Sequence, residues 1–118
     1  MTFIDLLEIP SSEPFPGVRI RTPYGQNLMF SYVEMEEGAE VPTHTHFHEQ
    51  GGILLEGQIR MTIGSETRAL KEGALYLIPP NTPHGALAIK GPVKILDVFT
   101  PIRDDYLDLM DKRTKREG

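Results

Sequence analysis

The stretch "THTHFHEQ", residues 43–50, carries three of the four histidines of the chain on alternate positions. The fourth, His84, lies in "PPNTPHG". In a β-strand, side chains at i and i+2 share a face, so His44 and His46 point the same way. Imidazole binds zinc and equally suits iron, nickel, copper and manganese. Two imidazoles on one strand need further donors, and Gln50 and His84 offer an amide oxygen and a third imidazole. The other reading open at this point is that His44, His46 and His48 are polar surface residues on a loop after Pro42. A second candidate is Asp97 in "VKILDVFT", a carboxylate inside an apolar strand, with Val93, Ile95 and Phe99 on its own face and Leu96 and Val98 on the other. An unpaired buried carboxylate is costly and its pKa rises. Asp97 therefore either pairs with a buried arginine or caps a turn, or it is a general acid or base facing a cavity. Arg103, just past that strand, is either a surface arginine paired with Asp104 or a neighbouring Glu, or a fork for a substrate carboxylate. Phe99 is core or cavity wall, or a surface on which a sugar ring stacks.

The elements that would position these residues are short strands. "VRIRT", "LMFSYVEM", "GGILLEG", "IRMTI", "ETRAL", "ALYLIPP", "PNTPHGALAI" and "VKILDVFT" read as strands, and "GS" at 64–65 as a two-residue hairpin turn. Pro10, Pro14, Pro16 and Gly17 make the start an irregular lead-in, and "GGILLEG" and "IRMTI" are separated near Gly57. Many strands spaced about ten residues apart predict an all-β sandwich or barrel. Only "RDDYLDLMDKRTKR" reads as helix, acidic at its start and basic at its end, and it is expected to pack on the barrel through Tyr106, Leu107 and Met110.

Composition narrows the classes. The 118 residues predict one domain spanning 1–118. With no cysteine, disulfides and thiolate metal sites are excluded. Residues 1–111 hold eight basic and sixteen acidic residues, a balance of −8, which argues against a nucleic-acid partner. Lys112, Arg113, Lys115 and Arg116 form either a small anion-binding arm or a solvated helix end. No apolar run is long enough to span a bilayer, and "MTFIDLLEIP" lacks the basic region of a signal peptide, so no membrane partner and a cytoplasmic location are expected.

The spacing of glycines and prolines around the histidines resembles that of the cupins. Their first motif is Gly, five residues, His-x-His, three or four residues, Glu, six residues, Gly. Here it runs over 38–57, from Gly38 through His44, His46 and Gln50 to Gly57. The second runs over 73–88, with Gly73, Pro79 and His84 in register, Asn81 in place of the motif's Gly and Ala88 in place of its Asn. Fifteen residues separate the motifs, similar to the short spacing of small one-domain cupins. The resemblance implies a double-stranded β-helix, a jelly-roll barrel with a short C-terminal helix. It also implies one divalent metal ion per chain (Ni, Mn, Fe, Zn or Cu), held by His44, His46, Gln50 and His84. Gln50 for Glu removes the anionic ligand, which leaves more of the +2 charge to attract an anion. His48 either replaces Gln50 as ligand or sits at the mouth near substrate. Glu49 has the wrong parity.

"DVFTPIRDDY", "HEQGGILLEG" and "PPNTPHGA" narrow the resemblance to small cupins of pectin and alginate degradation. That group converts unsaturated monouronates, the 4,5-unsaturated sugars left by polysaccharide lyases, to the linear keto form. The resemblance implies a small anionic sugar-acid substrate, a catalytic Asp97, and Phe99 and Arg103 shaping the binding site, with Arg103 also close to the chemistry. Two other functions stay open: an oxygen-dependent small cupin dioxygenase, and a non-catalytic sugar- or metal-binding cupin. Leu96, Val98 and the apolar "FIDLLEI" need covering, so a homodimer is expected, unless the C-terminal helix covers them.

Overall fold

The computed structural model describes residues 2–107. Eight strands form one antiparallel sheet system: β1 (Ser12–Phe15), β2 (Val18–Arg21), β3 (Met29–Met35), β4 (Glu40–His44), β5 (Glu49–Ile63), β6 (Glu66–Leu70), β7 (Leu75–Ile78) and β8 (His84–Thr100). One turn of 3-10 helix, Leu6–Glu8, precedes them and is capped by the Asp5 carboxylate, which accepts from the Leu7 amide. Residues 104–107 are helical. The expected packing through Tyr106 is present, since its ring joins the core cluster, whereas Met110 and the basic residues 112–116 lie outside the described residues. No helix of the described residues is long and apolar enough to cross a membrane.

The frame is set by β5 and β8, which pair along their whole length and change their other neighbour halfway. The first half of β5 pairs with β7 and its second half with β6. The first half of β8 pairs with β4 and its second half with β3. Two faces result, joined through the two long strands, and they enclose one core of Val18, Ile20, Val33, Leu54, Ile59 and Ile95 with their neighbours. This is the all-β jelly-roll barrel expected.

Two sequence expectations change. "GGILLEG" and "IRMTI" are one strand, as are "GALAI" and "VKILDVFT". Gly57 does not end β5 but bends it: its φ is +86°, and a Cβ there would lie 2.6 Å from the Pro92 carbonyl oxygen. Only glycine allows both. The lead-in is not wholly irregular, because Ser12–Phe15 pairs with β2 at the edge of the sheet, where proline is tolerated. Among the described residues nothing fully covers Leu96 and Val98 on the outer side. They are half-buried there, and Leu75 and Leu77 nearby are 76% and 74% exposed. The residue that replaces the motif glycine, Asn81, holds a φ of +62°, the left-handed conformation that asparagine tolerates.

Candidate metal centre

Three elements deliver the imidazoles. His44 is the last residue of β4 and His84 the first of β8, and the two are register partners. His46 lies in the loop after β4, so strand alternation does not explain its position. Two contacts fix that loop instead: the Asn81 amide donates to the His46 carbonyl at 2.8 Å, and the His46 ring meets Phe99 edge-on at 5.6 Å. Ligand atoms of His44, His46 and His84 all lie within 4.8 Å of one another. Among the described residues these three form a group able to hold a metal ion, and the surface-loop reading of His44 and His46 is set aside.

The hydrogen bonds fix the tautomers. Nδ1 of His44 donates to the Pro42 carbonyl at 2.9 Å, Nδ1 of His46 to the His48 carbonyl at 3.1 Å, and Nδ1 of His84 to the Thr82 carbonyl at 2.8 Å. All three Nε2 atoms therefore present lone pairs. Anchoring of the second ring nitrogen by a backbone carbonyl is how proteins orient metal-binding histidines. His84 Nε2 is buried with no hydrogen-bond partner, a cost that a cation would offset. Gln50 Oε1 lies 3.1 Å from His46 Nε2, so an amide oxygen and an imidazole lone pair face each other. Burial, then Arg103 and His84, push the His46 pKa down to about 4, and burial lowers that of His84. Neutral imidazoles of this kind are what a metal ion requires, so the donor set fits one.

His48 is not part of the three-imidazole group. Its ring stacks on Phe47 at 4.0 Å between centroids, and both its nitrogens are buried without partners. Glu49 is exposed, in keeping with its parity, while Gln50 is buried.

The same cavity is lined by His44, Gln50, His84, Asp97, Phe99 and Arg103. Its enclosed space is about 50 Å³, room for an ion and one or two waters. Asp97 is 7% exposed, and burial pushes its pKa up to about 6 against hydrogen bonds from Tyr76 and Gln50 and the charge of Arg103. The Tyr76 hydroxyl on β7 donates to Asp97 Oδ1, whereas the buried Arg103 donates to Asp105 instead. Arg103 is not a surface residue. It is 7% exposed, its guanidinium lies 3.9 Å from the centroid of the Tyr106 ring and 4.9 Å from that of Phe99, and its partner is Asp105 rather than Asp104. That pair is bidentate, with Nε to Oδ1 at 3.2 Å and a second nitrogen to Oδ2 at 2.7 Å. Phe99 is fully buried, its ring shared between His46, Arg103 and Tyr106.

Tyr76 and Asp105 are site neighbours that sequence reading passed over, and Tyr106, expected only to pack on the barrel, also lies against Arg103. The one available signal was Tyr76, which falls on the inward parity of "LYLI" two residues before the buried Ile78.

Comparison with known proteins agrees with this geometry. The family profile described as a cupin domain matches residues 31–99, which includes all four candidate ligands together with Asp97 and Phe99. The pectin degradation protein KdgF of Dickeya dadantii (strain 3937) is 29% identical over 102 residues, 85% of this chain and 93% of that protein. The structure of KdgF from a Halomonas species superposes with a TM-score of 0.83 at 29% identity, over 89% of this chain and 99% of that one. An RmlC-like cupin from Shewanella frigidimarina superposes with a TM-score of 0.84 at 24% identity, over 90% of this chain and 96% of that one, a likeness of fold alone. With the family profile spanning more than half its length, the chain belongs to the cupin family.

Proposed function

We propose that this cupin is a metal-dependent enzyme that converts 4,5-unsaturated monouronates to their linear keto form. One observation carries the reading: a buried carboxylate with a raised pKa, Asp97, lines the same cavity as His44, His84 and Gln50, beside the three-imidazole cluster and with Arg103 on the same wall. The similarity to two KdgF proteins, one named for pectin degradation, supports the substrate class.

The chemistry needs no oxidant. The anomeric hydroxyl loses its proton, the bond from carbon 1 to the ring oxygen breaks, and the ring oxygen keeps the electron pair as an enol. Carbon 4 then takes a proton and the enol becomes a ketone. His44, His46, His84 and Gln50 would hold one divalent ion per chain, which would supply Lewis-acid charge when bound. Asp97 accepts a proton and returns one, a task suited to a carboxyl with a pKa near 6. Arg103 pairs with the sugar carboxylate. Phe99 walls the cavity and holds the guanidinium in place. His48 acts from behind the centre, where its carbonyl accepts from His46 Nδ1 and its buried ring stacks on Phe47. Because the enclosed space suits an ion and its waters, the sugar ring lies outward of it, against Arg103.

In that place it competes with Asp105, whose side chain is 59% exposed. An ion pair of such exposure is worth less than about 1 kcal/mol. Asp105→Asn is therefore expected to lower KM for an unsaturated monouronate by about twofold to fivefold, with kcat unchanged, in steady-state assays. An unchanged or higher KM would remove Arg103 from carboxylate binding.

The outer face also has an assignment. Leu75, Leu77, Leu96, Val98 and Phe30 form an apolar surface of the barrel, with Phe30 and Val98 in register and Gly51 between Val98 and Leu77. A homodimer joined on this surface is the arrangement proposed, and Leu77→Glu is expected to yield a monomer in light scattering. A Leu77→Glu protein of unchanged mass would place the interface elsewhere.

The reaction itself is tested by an anaerobic assay. Protein loaded separately with nickel, manganese, zinc or iron is mixed with freshly made 4,5-unsaturated galacturonate, and loss of the double-bond absorbance is followed. Acceleration over buffer under nitrogen with several metals is the expected result. Activity that needs iron and oxygen together would point to a dioxygenase, and binding without turnover to a non-catalytic cupin.

A further inference from the structure

Four inward-facing positions cross the sheet at one level. Tyr76 on β7 pairs with Gly52 on β5, Gly52 with Asp97 on β8, and Asp97 with Ser31 on β3. Gly52 is the one place on this rung with no side chain. Its φ is not in the left-handed region, so its value there is space rather than backbone freedom. A Cβ on Gly52 would collide with Asp97 Oδ1 and with the ring carbon and hydroxyl oxygen of Tyr76. The gap lets the Tyr76 ring lie across the β5 backbone, as aromatic side chains do over cross-strand glycines. Its hydroxyl thereby reaches a residue two strands away and donates to Asp97 Oδ1.

A buried tyrosine hydroxyl needs an acceptor, and here it takes the one buried carboxylate among the described residues. Tyr76 is not part of the wall of the metal cavity, so it reaches Asp97 from behind that wall. The phenol keeps its proton, since burial and the neighbouring Asp97 raise its pKa well above the ordinary value.

We infer that Tyr76, seated over Gly52, is a positioning residue that fixes the Asp97 carboxylate through Oδ1 and so holds it in the cavity wall beside Gln50. The inference rests on the proposed role of Asp97. It explains why this rung spends an inward position on glycine where Leu54, two residues on, fills the core.

Tyr76→Phe removes the hydroxyl and keeps the ring over Gly52. Its kcat on unsaturated galacturonate is expected to fall ~10- to 100-fold, the scale of a misplaced catalytic group, with KM within about twofold of wild type. Gly52→Ala reaches the same loss of kcat by displacing the phenol. Wild-type kcat in Tyr76→Phe would overturn the inference. A second readout does not depend on turnover. The Tyr76 hydroxyl proton, shielded from water against a carboxylate, is expected as a slowly exchanging downfield proton resonance that is absent in Tyr76→Phe and shifted upfield in Asp97→Asn. Should wild type fail to convert any unsaturated monouronate, the proposed reaction falls alone, and this resonance still decides the pairing. Its presence with the Asp97→Asn shift upholds the pair, and its absence from wild type overturns it.

Discussion

Asp97→Asn is expected to fold, bind metal and lose ~10²- to 10⁴-fold in kcat on unsaturated monouronates, the usual contribution of a positioned acid or base. The substitution keeps shape and burial. The amide oxygen still accepts from the Tyr76 hydroxyl, so the rung around Gly52 is undisturbed. What disappears is the one carboxyl group among the described residues that line the cavity. Removing a buried charge also relieves desolvation, so the thermal midpoint should hold or rise. A variant with wild-type turnover and a lower thermal midpoint would instead make Asp97 a purely structural partner of Tyr76. The two outcomes differ in opposite directions on two simple measurements, which makes this variant decisive.

His84→Ala is the second large effect. The imidazole fills its position at the start of β8, with Nδ1 tied to the Thr82 carbonyl and Nε2 left buried and unpaired toward His44 and His46. Loss of a mere orienting partner of a ligand costs up to about 100-fold in metal affinity, so loss of the ligand itself should cost more than that. Titration calorimetry with nickel or manganese measures it, and activity should fall in step while the metal-free variant keeps its fold. The fold should survive because the imidazole cluster without an ion is no asset to it: burial lowers the pKa of His46 and His84 and leaves the Nε2 lone pair of the buried His84 without a donor. Gln50→Glu should act the other way on affinity, restoring an anionic ligand and tightening the metal, while the added charge weakens attraction for an anionic sugar. Undiminished metal binding in His84→Ala would mean that the three imidazoles are not the ligand set.

Much of the barrel could be read from the chain because its turns and strand bends have strict backbone demands. Gly38, Gly57 and Gly73 hold φ of +85°, +86° and +89°, and Asn81 serves at +62°. Those demands fix the spacing around His44, His46 and His84, which is why four residues scattered over 41 positions could be assigned to one centre. The same signals misled where glycine and proline bend a strand instead of ending it. Gly57 and the Gly91–Pro92 step lie inside β5 and β8, and nothing local distinguishes a bend from a break when the partner strand is unknown. His46 joins the centre for a reason alternation could not supply, since its loop is held by Asn81 and Phe99 from the far end of the sequence. The neighbours of Asp97 and Arg103 were hidden differently. Tyr76 precedes Asp97 by 21 residues and meets it only across a third strand, through a gap that exists because residue 52 is glycine. Asp105 pairs with Arg103 because the chain turns into helix at 104, which brings a carboxylate two residues on back to the guanidinium.

The measurement that bears most directly on the central claim is proton nuclear magnetic resonance of the conversion run in deuterium oxide. Spontaneous ring opening delivers deuterium to carbon 4 from either side, whereas a fixed carboxyl delivers it from one. The metal-loaded wild type is predicted to speed the reaction and place deuterium on a single face of carbon 4. Conversion at the rate of buffer, with deuterium on both faces, would contradict the assignment of Asp97 and of the reaction together.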